Sequence, residues 1–155
     1  MRVRREIIKL PIQGLQPGEL EKSRVISTRL IKEGPEHFEF LDLVQAFKVL
    51  WVDEYQGKPI DAEVQVIALG NDVAWVGLPG EVFVELGMAI KQASPFRYTI
   101  VNELSGDAID YVPDRKAFAE GAYEVVNSLC APGGGEDLVN AATRLLIDTY
   151  KASVK

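Results

Sequence analysis

Apolar residues recur along this chain at two periods, and the clearest change of period falls near its middle. Two short apolar runs, Val64-Gln65-Val66-Ile67-Ala68-Leu69 and Val73-Ala74-Trp75-Val76, are split by Gly70-Asn71-Asp72 and followed by Leu78-Pro79-Gly80-Glu81. In the first run Val64, Val66 and Ala68 alternate with Gln65, Ile67 and Leu69. The second is short, continuous and rich in strand formers, so the pair predicts a β-hairpin of buried or half-buried strands. Pro79 has no N–H to give to a ladder and Gly80 accepts unusual backbone angles, so the second strand is expected to stop there and the chain to turn. Beyond the turn Val82, Phe83, Leu86, Ile90 and Ala93 fall near helical spacing, which predicts a helix to about residue 93 with Glu81 in its first turn.

The flanking segments read in the same way. Ile7, Ile8, Leu10 and Ile12 predict a strand over residues 5–13, with Pro11 marking an edge position or a strand end. Leu20, Val25, Ile26, Leu30 and Ile31 lie among Glu, Lys and Arg, and predict an amphipathic helix from Pro17-Gly18-Glu19 to about residue 33. After Gly34-Pro35 a broad stripe of Phe38, Leu41, Leu43, Val44, Phe47, Leu50 and Trp51 predicts a second helix over about residues 39–55. Past Ser94-Pro95, Tyr98-Thr99-Ile100-Val101 is a short β-branched strand, and residues 102–110 are a loop. Tyr111-Val112-Pro113-Asp114 reads as a strand end meeting a helix cap, with Asp114 the N-cap of a helix over residues 115–120. Leu138, Val139, Ala142, Leu145, Leu146 and Tyr150 line one face of a final helix over residues 136–152. This order predicts one mixed α/β domain, a mixed sheet with packed helices, and not an alternating βαβ series.

Composition narrows the function classes. With 155 residues, 47% of them hydrophobic, the chain can bury a core without disulfides or metal. A net charge of −6 speaks against a nucleic-acid surface, which needs clustered Lys and Arg. No apolar run approaches the ~20 residues that span a bilayer, so no transmembrane segment is expected. Met1-Arg2-Val3-Arg4-Arg5 leads into Glu6, not into the apolar core of an export signal, so the expected setting is cytoplasmic.

Candidate chemistry is sparse. Cys130, the single cysteine, precedes a Pro-Gly-Gly-Gly loop and has no visible activating group. His37, the single histidine, sits between Gly34-Pro35-Glu36 and an apolar helix start, where a structural or capping role is the expectation. Residues 131–135 lack the Lys-Ser/Thr of a phosphate loop, no Gly-x-Ser-x-Gly elbow is present, and no complete zinc motif exists. Glu81 remains, a carboxylate just past a chain reversal, and favourable electrostatics at a helix N-terminus alone would account for it.

Leu78-Pro79-Gly80-Glu81 followed by Val-Phe-Val-Glu-Leu-Gly, then Ser94-Pro95-Phe96, then Asp110-Tyr111-Val112-Pro113-Asp114-Arg115-Lys116-Ala117-Phe118 and Gly121-Ala122-Tyr123-Glu124, resembles the later part of the catalytic domain of the neutral/alkaline ceramidase family. The resemblance implies zinc-dependent N-acyl amide hydrolysis, with a metal held by two histidines from an earlier part of the domain and by a glutamate and a tyrosine from the later part. It maps the metal ligands onto Glu81 and Tyr111, and a tyrosine that donates to the substrate's amide oxygen onto Tyr123, which could equally be a packing residue. The histidine pair and the serine implicated in substrate attack belong to a portion that this sequence does not contain.

Two readings follow. In the first the chain is part of a ceramidase-like amidohydrolase for an N-acyl lipid-like substrate, zinc-linked but inactive alone. In the second it is a non-catalytic α/β binding or structural module that associates with itself or with a partner chain. Either a missing N-terminal half or a second copy would cover the stripe of Phe38, Leu41, Val44, Phe47 and Trp51, so a homo-oligomer is the expected state in solution.

Overall fold

The computed structural model describes residues 1–152. A four-stranded sheet is built from β1 (Arg2–Leu10), β2 (Ile60–Leu69), β3 (Val73–Gly77) and β5 (Tyr98–Asn102), in the order β1-β2-β3-β5. The first three strands are antiparallel neighbours and β5 runs parallel to β3, so the sheet is mixed, as the element order predicts. The hairpin turns at Gly70, whose φ of +59° is open to glycine at no steric cost. Among the described residues six α-helices complete the fold: α1 (Glu19–Glu33), α2 (Phe40–Glu54), α3 (Val84–Ala93), α4 (Arg115–Glu120), α5 (Tyr123–Asn127) and α6 (Gly134–Lys151).

Alternation in β2 decides which face carries the core. Ile60, Ala62, Val64, Val66 and Ala68 are buried, while Asp61, Glu63, Gln65, Ile67 and Leu69 face outward. α6 packs on β1 and on this row of β2, where the small Ala62 and Ala68 allow close approach, and its buried face of Leu138, Ala141, Ala142, Leu145 and Leu146 repeats at i, i+3 and i+4. α3 packs beside α6 and under β5, adding Leu86 and Ile90 to the same apolar cluster. On the opposite face of the sheet the register aligns Val3, Ile67, Trp75 and Ile100 in one row across all four strands.

Four expectations need correction. β1 begins at Arg2 and ends at Leu10, immediately before Pro11, and it is an edge strand, so both meanings of that proline hold. Glu81 is not in the first turn of α3: it opens a two-residue strand, β4 (Glu81–Val82), and the helix starts at Val84. Backbone pairing wins here because the N–H groups of Glu81 and Phe83 donate to the carbonyls of Asp110 and Val112, at 3.1 Å each. That partner strand is β6 (Tyr111–Val112), and the pair forms a separate two-stranded parallel sheet in which Glu81 and Tyr111 are neighbours. Finally, α5 was not expected, and α6 starts two residues early, absorbing Gly134 and Gly135 from the glycine loop. Asp114 caps α4 as predicted, its carboxylate accepting from the Ala117 N–H at 2.8 Å.

The stripe on α2 divides. Phe38 and Val44 are half-buried, whereas Leu41, Phe47 and Trp51 each keep about half their surface in solvent, with Phe40 beside them. Lys48 of the same helix is almost fully buried, its Nζ 3.4 Å from Oε1 of Gln13. Desolvation holds its pKa below the ordinary lysine value, partly offset by Glu19. A depressed lysine pKa means that folding disfavours the charged form, a cost that is complete below the folded pKa, declines as the pH rises above it and is gone above the unfolded value. Lys48→Met is therefore expected to stabilise the fold by about 1 kcal/mol at neutral pH. Urea denaturation at about pH 7 and about pH 10 checks this, the difference between the two proteins shrinking at the higher pH.

Candidate active site

Behind the hairpin the chain runs as a continuous extended segment beside residues 102–112. Ser105 N–H donates to the Leu78 carbonyl at 2.8 Å, Ile109 N–H to Pro79 at 2.9 Å, Leu104 N–H to Gly80 at 3.3 Å, and Glu81 N–H to Asp110 at 3.1 Å. This lacing leaves no room for a side chain at Gly80, where a Cβ would lie 2.6 Å from the Asp110 carbonyl oxygen and 3.0 Å from Ile109 and Val112 side-chain carbons. Glycine is needed here for close approach, since the φ angle is not positive. The outcome is a fixed register in which Glu81 lies directly opposite Tyr111.

Across this pair the Glu81 carboxylate, as a hydrogen-bond acceptor and as a negative charge, acts with burial to push the Tyr111 phenol up to about 12. Tyr123, on α5, sets its ring edge-on against Tyr111, with centroids 5.8 Å apart and planes at 75°, and stacks on Phe40 of α2 at 5.6 Å. Three residues that lie 30 and 12 positions apart in sequence thus form one constellation, Glu81–Tyr111–Tyr123. They line a cavity of about 1230 Å³, whose wall also includes Trp51, Tyr55, Asp110 and Asn127.

Asp110 and Asn127 escaped the sequence reading. The Asp110 carboxylate accepts from the Tyr111 N–H at 2.9 Å and from the Asn127 amide at 3.0 Å, which ties α5 to the start of β6. Burial and the neighbouring Glu81 raise its pKa, against the lowering effect of the Tyr111 N–H. Asp110 holds a φ of +72°, a left-handed conformation that Asp tolerates better than most side chains. Nothing in Ala108-Ile109-Asp110 signals this, because the strain comes from the pairing with residues 79–83.

The other candidates lie elsewhere. His37 is exposed in a 3-10 turn (Pro35–His37), its Nε2 3.8 Å from a Glu36 oxygen, and does not line this cavity. Cys130 is buried with its Sγ 3.4 Å from Ser128 Oγ, and burial pushes its thiol up, away from nucleophilic character. Among the described residues no three His, Cys, Asp or Glu side chains converge into a group that could hold a metal ion. Glu81 and Tyr111 offer two oxygens, short of the four ligands that a zinc ion takes, so this donor set does not fit the ion by itself.

No family model and no curated protein matches the chain. Among solved structures it is similar to a ceramidase complexed with C2, at TM-score 0.47 and 24% identity, over 54% of this chain and 14% of that one. It is similar also to neutral ceramidase from Pseudomonas aeruginosa, at TM-score 0.47 and 22% identity, over 59% of this chain and 16% of that one. Each match thus spans about one seventh of the ceramidase chain. At these values the likenesses establish neither a family nor an activity.

Proposed function

We propose that this chain is part of a ceramidase-like amidohydrolase, carrying the carboxylate and tyrosine side of an N-acyl amide site and inactive by itself. One observation supports the reading above the rest. The three residues that the motif resemblance singles out, Glu81, Tyr111 and Tyr123, come from three separate elements and all line one cavity. A random choice of motif residues has no reason to converge in this way.

Within that reading the chain's own groups have distinct roles. The Tyr123 hydroxyl, on a ring about one third exposed and held by Phe40 and Tyr111 at the cavity wall, would donate to the amide oxygen of a bound substrate. Phe40 beside the constellation and Trp51 on the cavity wall offer apolar surface to an acyl or lipid-like portion, continuing onto exposed Phe47. Glu81 and Tyr111 would contribute two oxygens to a metal only together with nitrogen ligands from outside the described residues.

The second reading, a non-catalytic binding or structural module, draws on the pairing of Glu81 with Tyr111 and the packing of Tyr111 on Tyr123, which can serve the fold without any ligand. Two measurements separate the two. Purified chain with added zinc and N-acyl-sphingosine is expected to show no turnover, and turnover abolished by Glu81→Gln would refute the proposed inactivity. Zinc titrated against a chromophoric chelator is expected to bind weakly, above about 10 μM, and to lose that binding in Glu81→Gln and in Tyr111→Phe. Binding indifferent to both substitutions would remove the metal-facing role and leave the module reading.

A further inference from the structure

The two edges of the main sheet are protected very differently. β1 carries Arg2, Arg4, Arg5 and Lys9, the kind of charge that keeps an edge from pairing with another chain, and two of these are held on the outer face by Glu63 and Asp61 of β2. β5, at the other edge, reads Tyr-Thr-Ile-Val-Asn, with no charge and no proline, and Tyr98 and Ile100 exposed. Its backbone parity is known from both ends: Tyr98 N–H donates to Asp72 and the Asn102 carbonyl accepts from Leu78, each at 2.9 Å, both toward β3. In a strand the alternate residues point the other way, so the N–H and C=O of Thr99 and Val101 are directed to the free side.

We infer that β5 is a homodimerisation edge, pairing antiparallel with β5 of a second copy about a two-fold axis at Ile100. The sequence around the strand is self-complementary in this register. Ile100 faces its own copy, Thr99 faces Val101 and Tyr98 faces Asn102. Thr99 and Val101, the residues with outward backbone groups, then exchange paired hydrogen bonds on both sides of the axis. One step further out Arg97 meets Glu103 of the second copy, twice by symmetry, and both residues are exposed. The outer row Val3–Ile67–Trp75–Ile100 would run on into the same row of the second copy, making one apolar band across eight strands. This places self-association on a surface other than the α2 stripe that periodicity suggests.

Edge pairing of five-residue strands buries less than the ~800 Å² per partner of a standard interface, so a dimer with Kd of about 10–100 μM is expected. Sedimentation velocity of the whole chain across that range tests the state, and a charge cycle tests the register. Arg97→Glu and Glu103→Arg, each turning two attractive pairs into two repulsive ones, are expected to weaken association about tenfold, and the double variant to restore it. Ile100→Cys adds an independent probe. Opposed residues at such a position stand ~4.5 Å apart between Cα atoms, within disulfide reach, and the native Cys130 is buried. Oxidation is expected to convert this variant to a covalent dimer. A wild-type chain that stays monomeric at about 1 mM, a dimer indifferent to the charge reversals, or an Ile100→Cys variant that stays monomeric on oxidation would each overturn the inference. The first would arise if another polypeptide segment is the natural occupant of this edge.

Discussion

Gly80→Ala is expected to destabilise the fold by about 2–3 kcal/mol and, unlike other substitutions of that cost, to pull the candidate site apart. The added methyl would lie 2.6 Å from a backbone oxygen, that of Asp110, with Ile109 and Val112 side chains closing the remaining space at 3.0 Å. A flexible side chain could swing away, but this carbonyl already accepts the Glu81 N–H, and its own residue is strained at φ +72°. Relief requires the segment 79–83 and the start of β6 to separate, which breaks the Glu81–Tyr111 register. Chemical denaturation measures the loss of stability. Amide hydrogen exchange at Glu81 and Phe83, whose N–H groups make the β4–β6 ladder, is expected to accelerate well beyond what that global loss explains.

Leu146→Ala is expected to cost about 3 kcal/mol while leaving that register intact. Leu146 is fully buried on the face of α6 that packs on β1 and β2, within the single apolar cluster that also holds Val64, Val66 and Val76. Truncation there opens a cavity in a tightly buried cluster, and the cost follows from the volume that its neighbours do not refill. The loss appears in the denaturation midpoint with an unchanged slope, and exchange at Glu81 and Phe83 rises only in step with global stability. The two variants, nearly equal in cost, thus separate residues that hold the core from the one that holds the site.

The elements that could be read in advance share a physical cause. β2, β3, α2 and α6 bury one face each and leave another wet, so their apolar periods of 2 or 3.6 are imposed by the core and stay visible in the chain, whereas α1 buries only Ser23 and leaves Val25 and Ile31 exposed. Asp114 was legible because a cap is a local device, three residues from the N–H it satisfies. The local reading failed at Glu81, where helical spacing from Val82 onward suggested a helix start. There, two backbone hydrogen bonds to residues 29 positions away outweighed propensity. α5 escaped because five residues show barely more than one turn of periodicity, and its place is set by Tyr123 packing on Phe40 and Tyr111.

By itself the sequence determined the mixed α/β class, the hairpin, the long helices and the identity of Glu81, Tyr111 and Tyr123 as residues worth locating. These depend on local periodicity, on turn chemistry and on motif spacing, all of which are written along the chain. Only the tertiary structure decided that the three residues share one cavity, that Asp110 and Asn127 join them, that His37 does not, and that one sheet edge is guarded by charge and the other is bare. Those are facts about strand order and register. They follow from which backbone groups, far apart in sequence, satisfy one another when the apolar faces close, and a one-dimensional pattern does not encode that choice of partner.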